Sequence, residues 1–178
     1  MSTYKQSIPQ ADTLMGSMRS MGYSFEAAIA DVIDNSISAN CNVVKLFFPS
    51  EPTDELVVGI LDDGEGMPAD VLFEAMRYGS TDSELERRAN DLGRFGLGMK
   101  SASLSQCRIL TVVSLYADKL SSYSWDFNCI QKRKEWIVKE LSQTEIKSLP
   151  YIDSLLELSH GTLVLWQDFD VLEKSSGG

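Results

Sequence analysis

Three short stretches of this chain carry residue types able to do chemistry, and they follow one another in order. The first is ADVIDNSISA, residues 30–39, where Asp31 and Asn35 stand four positions apart. On a helix that spacing puts both on one face. A carboxylate takes a proton from water. An asparagine carbonyl offers a hard oxygen of the kind Mg²⁺ accepts while keeping several waters and taking other ligands from phosphates. The competing reading is a solvated helix face on which an Asp and an Asn fall by chance. The second stretch is DDGEGM, residues 62–67. Gly64 and Gly66 permit positive φ and close approach of backbone to a flat ligand. Asp62 can accept a hydrogen bond from an exocyclic amine, and the polarizable thioether of Met67 can pack on the same ring. An ordinary strand-to-helix turn is the alternative.

The third stretch is LGRFGLGMKSAS, residues 92–103. It imitates a Walker A loop, G-x-x-x-x-G-K-[ST], because Gly93 and Gly98 have the required separation. Met99 occupies the lysine position, however, and Lys100 and Ser101 arrive one residue late. The dinucleotide fingerprint G-x-G-x-x-G, aligned on Gly96 and Gly98, would need glycine where Ser101 stands. What remains is a glycine-rich loop opening an apolar helical run. Backbone N–H groups at a helix N-terminus, with the helix dipole behind them, attract phosphate without a dedicated side chain.

These residues need elements to hold them. Residues 9–21 carry Leu14, Met15 and Met18 at helical spacing. Ser24 is the expected cap of a stronger helix reaching about Ala39, with an apolar stripe of Ala28, Ile29, Val32, Ile33 and Ile37. Asp31 and Asn35 are offset from that stripe. Residues 42–48 and 55–61 read as strands joined by a turn. A helix is expected from Pro68 to about Arg77, a polar lid over 78–95, and a helix from Gly96 or Leu97 through Leu104. CRILTVVSLY, KLSSYSWDF and RKEWIVKEL read as strands, residues 143–157 as one or two short helices, and HGTLVLWQDF as a last strand. Strands set among helices, then strands in series, indicate an α/β two-layer sandwich with a mixed sheet.

Composition narrows the function. With 178 residues, 43% of them hydrophobic and 24% charged, the chain has enough apolar surface for a folded domain. Residues 1–172 are assigned to that domain and 173–178 to the start of a linker. A net charge of −10 argues against this piece being a main nucleic-acid grip, which needs a basic face. Such a domain can still belong to a DNA-acting protein whose basic parts lie elsewhere. Three cysteines without CxxC spacing suggest reduced thiols and an intracellular, cytoplasmic setting. His160 is the only histidine, which disfavours a zinc cluster. No apolar leader and no run long enough to span a membrane is seen.

An Asp…Asn helix, then D-x-G-x-G, then a lid, then G-x-x-G-x-G opening a helix resembles the GHKL superfamily of Bergerat-fold ATPases. That group includes gyrase B, the MutL mismatch-repair proteins, the ninety-kilodalton heat-shock chaperone, MORC proteins and sensor histidine kinases. The GRFGLGMKSAS wording looks closest to the MORC-like and chaperone-like branch. The resemblance implies a mostly antiparallel sheet covered on one face by helices, with ATP and Mg²⁺ as cofactors. It also implies a switch domain whose lid closure drives homodimerisation of a longer protein, acting on a client or DNA through other regions. By residue, it implies Asn35 for Mg²⁺ and Asp62 for the adenine amino group. Gly64, Gly66 and Met67 would shape the base pocket, and Thr162 would support Asp62. Gly93, Phe95, Gly96, Leu97, Gly98, Met99 and Lys100 would form the phosphate loop, where Lys100 is either a charge partner or a solvated helix lysine.

Two positions depart from that pattern. The residue four before the asparagine is usually glutamate, the general base; here Asp31 stands there, shorter by one methylene, or roughly 1.5 Å, where small misplacements cost about 100-fold in rate. Glu26 is no substitute, because five residues earlier on a helix it sits about 140° away. Ser38 replaces a frequent aspartate. Two other functions stay open: an ATP-sensing domain with little hydrolysis, and a histidine-kinase catalytic domain. In kinases asparagine usually holds the Asp31 position, and the chain shows no upstream histidine-bearing dimerisation helix. A following domain that donates a lysine to the γ-phosphate, as in gyrase-like relatives, is absent from these residues, so weak hydrolysis by this piece is expected.

Overall fold

The computed structural model describes residue 5 and residues 7–50, 55–77 and 98–169. Helix α1, Ala11–Arg19, leads into α2, Phe25–Ser38. Ser24 caps α2 as its sequence position suggests. Its backbone is extended and its side chain accepts the Ala27 N–H at 3.2 Å, satisfying one donor that a helix N-terminus leaves open. Strands β1, Val44–Phe47, and β2, Val58–Asp62, follow, then α3, Ala69–Met76, and α4, Gly98–Gln106. Beyond them run β3, Ile109–Tyr116, β4, Lys119–Asp126, α5, Phe127–Arg133, β5, Lys139–Glu140, α6, Gln143–Lys147, α7, Ile152–Leu156, and β6, Gly161–Gln167.

The strands form one sheet in the order β1-β2-β6-β3-β4-β5, and every pairing is antiparallel. Side chains alternate between its faces with the period of two that a strand imposes. Val58 and Ile60, Leu110 and Val112, Tyr123 and Trp125, and Val164 and Trp166 point to one face, where they pack against the buried sides of α1 to α5. Leu61, Val113, Leu115, Leu163 and Leu165 point to the other, which α6 and α7 partly cover through Ile146, Ile152 and Leu155. This is the α/β two-layer sandwich of the resemblance, with a thin second cover added.

One stretch differs from its sequence reading. RKEWIVKEL forms no full strand; only Lys139 and Glu140 pair, with Ser124 and Tyr123. The preceding residues make α5 instead. Asp126 ends β4 and caps α5 by accepting the Cys129 N–H, and Lys134 closes the helix in a left-handed conformation, φ 56°. The apolar run that imitated a strand is spent on packing: Trp136, Ile137 and Val138 are half-buried against the helix-side core. The Trp136 ring stands edge-on to Trp125, centroids 6.3 Å apart.

Helix α1 is tied to α4 by one side chain. The Arg19 guanidinium donates to the Leu104 carbonyl at 2.8 Å and to the Cys107 carbonyl, at the end of α4 where carbonyls lack helical partners. Its Cζ also lies 5.0 Å from the Phe127 ring centroid, a favourable cation–π geometry. Removing a charged donor from such carbonyls costs about 1–3 kcal/mol. Arg19→Met is therefore expected to lower the thermal midpoint by roughly 2–10 °C, read by circular dichroism. Lys139→Met, which breaks a solvent-exposed pair with Glu145, should move it far less.

Candidate functional site

Asp62 ends β2 on the helix-covered face and is only 5% exposed. Its register partner on β6 is Thr162, which lies opposite Ser114 on β3. Three polar side chains thus cross the sheet side by side, in line with the apolar rows below them. The Asp62 carboxylate accepts the Ser36 hydroxyl at 2.8 Å on Oδ2, the Gly64 N–H at 2.9 Å on Oδ1, and a further bond from the Thr162 backbone. Burial still holds its pKa above the usual carboxylate range, against the pull of those three bonds. An ionised carboxylate has about four acceptor positions, so capacity remains for an amine on a planar ligand.

The loop after Asp62 is pressed against the protein's own backbone, and this is where its glycines are required. A Cβ on Gly64 would sit 2.9 Å from the Ala39 carbonyl oxygen and 2.8 Å from Asp62 Oδ1. At Gly66, φ is 68° and a Cβ would lie 2.3 Å from the Leu115 carbonyl oxygen, so both conformation and space exclude a side chain. The loop is then pinned on every side. Glu65 N–H donates to Ala39, Asn40 donates to the Glu65 carboxylate at 2.7 Å, and Met67 N–H donates to Ser114 Oγ at 2.7 Å. His160 Nδ1 reaches the Gly64 carbonyl at 2.5 Å. Asp63 accepts the Val43 and Asn42 N–H groups, which lower its pKa. Met67 itself is half-buried against the helix-side core.

Helix α2 brings Asp31, Asn35 and Ser36 to the same region. The Asn35 amide nitrogen donates to the Asp31 carbonyl at 2.8 Å, so Oδ1 is the atom left for a partner. That is a hard oxygen of the type Mg²⁺ takes, and it fits an ion that draws its other ligands from water and phosphate. Among the described residues no three acidic, histidine or cysteine side chains cluster as a metal cage. Ser38, in the position of the frequent aspartate, donates to the Asp34 carbonyl of its own helix at 3.0 Å. Burial, then the nearby charge of Asp31, raises the Tyr23 pKa.

Of the expected phosphate loop, Gly93, Phe95, Gly96, Leu97 and the lid at 78–95 lie outside the described residues, while the backbone of Gly98 and Met99 opens α4. Lys100 does not lie on a solvated face. It is 2% exposed, and its ammonium donates to the carbonyl of Arg77, the C-cap of α3. Burial pushes its pKa down to about 8.

Ser36 and Ser114 were not singled out from the sequence, yet one holds Asp62 and the other holds Met67. A signal existed for Ser36. It continues the buried Ala28–Val32 line at four-residue spacing, and a polar residue on an apolar stripe needs a partner. Ser114 sits within a strand and gave no comparable sign.

A buried carboxylate with acceptor capacity left, on a sheet layered by helices and beside an Asp…Asn helix, suits an ATP-binding domain of the ATPase type, the class to which the family match assigns the chain. Residues 23–162 match the histidine kinase-, DNA gyrase B-, and HSP90-like ATPase family, and the chain belongs to it. No curated protein matches it. Among the described residues no helix is long and apolar enough to cross a membrane, and Cys41, Cys107 and Cys129 are free thiols.

The raised pKa of Asp62 has a consequence for stability. A carboxyl that binds its proton more tightly when folded favours the fold below its unfolded pKa, and loses that contribution as pH rises through the folded value. At neutral pH the buried charge is therefore a burden. Asp62→Asn is expected to keep or raise the thermal midpoint at pH 7 while weakening ATP binding by calorimetry at least tenfold, or about 1.4 kcal/mol.

Proposed function

We propose that this domain is a Mg²⁺-dependent ATPase switch in which Asp31 is the general base. The observation that carries the reading is the pairing on α2: Asp31 is half-buried, and Asn35, one turn on, holds the Asp31 backbone carbonyl at 2.8 Å. In this reading Asp62, supported by Thr162, takes the adenine amino group, and Met67 packs on the ring beside the loop shaped by Gly64 and Gly66. Asn35 Oδ1 would hold Mg²⁺, whose charge would offset the charge developing on the phosphate oxygens. Asp31 receives the proton of the attacking water. A bond forms from that water oxygen to the γ-phosphorus, the bond from phosphorus to the bridging oxygen breaks, and ADP leaves with the electron pair.

The family resemblance supports further assignments. Gly93, Phe95, Gly96, Leu97, Gly98, Met99 and Lys100 form the phosphate loop, and the lid at 78–95 closes on ATP to drive homodimerisation of the full-length protein. Client or DNA contacts then belong to other regions of that protein. A second reading, ATP sensing with little hydrolysis, is favoured by the short reach of Asp31.

Calorimetric titration of the folded chain with ATP and Mg²⁺ is expected to show binding, and its absence would sink the reading. Asp31→Asn should lower phosphate release by about 100-fold or more with ATP affinity preserved. Turnover that survives the substitution removes Asp31 as the base. Turnover undetectable in both proteins, with binding intact, selects the sensing reading.

A further inference from the structure

We propose that His160 is a positioning residue for the base pocket, its ring fixing the Gly64 peptide and through it the Asp62 carboxylate. The inference rests on the reading that Asp62 takes the adenine amino group. His160 directly precedes β6, and its Nδ1 lies 2.5 Å from the Gly64 carbonyl oxygen. A carbonyl oxygen only accepts, so Nδ1 carries the proton, and in the neutral ring Nε2 is left as the acceptor. The contact joins residues 96 positions apart, and the sheet register places it. Two residues on, Thr162 stands opposite Asp62. Between them, Gly161 approaches β2 so closely that a Cβ there would sit 2.3 Å from the Asp62 carbonyl oxygen. The start of β6 is thus laid along the Asp62–Gly64 turn, with the imidazole on its far end.

The peptide unit joining Gly64 to Glu65 is gripped at both ends. Its carbonyl takes the His160 proton, and its N–H donates to the carbonyl of Ala39, the C-cap of α2, at 3.0 Å. The Gly64 N–H in turn donates to Asp62 Oδ1 at 2.9 Å. Gly64 has no Cβ to restrict its backbone, so these outside bonds are what set its orientation. Among the described residues, His160 is the side chain bonded to the Gly64 carbonyl. If that bond is lost, the Gly64 peptide is free to turn, and with it the donor that aims the carboxylate. Hydrogen bonds weaken steeply when misaligned, so a turned carboxylate meets the amine of a flat ligand less well. His160 is itself exposed. Truncating it opens no cavity in the core, and what it contributes is the bond.

The test uses the untagged 178-residue chain, in which His160 gives the single imidazole signal. Long-range ¹H–¹⁵N NMR above neutral pH should show a neutral ring protonated at Nδ1, the minor tautomer of free histidine; an Nε2–H ring overturns the contact. By calorimetry, His160→Ala should weaken ATP binding about fivefold. His160→Phe, which keeps a ring and loses the donor, should match it. His160→Asn, whose Nδ2 stands as many bonds from Cα as the imidazole Nδ1, should restore ATP affinity to within about twofold of wild type. Affinity unchanged in the two variants that lack a donor, or lowered equally in His160→Asn, overturns the positioning role and leaves the Asp62 reading intact. ATP bound by Asp62→Asn as tightly as by the wild-type chain, or not bound by the wild-type chain at all, overturns that reading and this inference together.

Discussion

The constraint on which this molecule turns is one buried carboxylate. Asp62 sits at the end of an otherwise apolar strand, under a layer of helices, where an unpaired charge would be costly. Ser36, Gly64 and Thr162 come from a helix, a loop and the last strand of the chain, and each gives it a hydrogen bond. These bonds do not neutralise the burden, as its raised pKa attests. A buried carboxylate with an acceptor position left is suited to recognising an amine. The same feature ties β2, β6 and α2 together.

Helix α2 serves two ends with two faces. Ala28, Ile29 and Val32 bury against the sheet, and Ser36, on the same line, reaches Asp62. The offset Asp31 and Asn35 remain half-buried at the edge of that packing. Around them, α4 is fixed from both sides: Arg19 of α1 satisfies its terminal carbonyls, and Gln106 holds the backbone just before α2. Buried Lys100 ties the first turn of α4 to the end of α3, where a cation is favoured by the helix dipole. The three helices that flank the site are thereby coupled through polar contacts made at their termini.

The elements that sequence patterns predicted well are those whose signals are local. The Ser24 cap, the Pro68 start of α3 and the period-two strands β3, β4 and β6 each depend on neighbours a few positions away. Residues 133–141 misled because Trp136, Ile137 and Val138 have strand-like composition, yet their burial comes from packing on Trp125 and the helix-side core. Asp31, Asn35, Asp62 and Met67 are candidates through their types and spacing and Thr162 through the family resemblance, and the fold brings Asp62, Thr162 and the end of α2 together. The partners that hold them were less so: serines 36 and 114 are common residues whose roles appear only beside what they touch.

The sequence alone determined most helices and most strands, the order of the motifs and the family to which they belong. These follow from backbone geometry and side-chain periodicity over a few residues. The tertiary structure decided which polar groups meet. Ser36 finds Asp62 across 26 positions, and Met67 finds Ser114 across 47. The second meeting spans β6, the last strand, which inserts between β2 and β3 and brings Thr162 between Asp62 and Ser114. It also decided that Gly64 and Gly66 make room for Ala39 and Leu115, and that Lys100 is buried. Such contacts depend on strand order and register, which a one-residue slip would turn to the opposite face, and no local pattern encodes them.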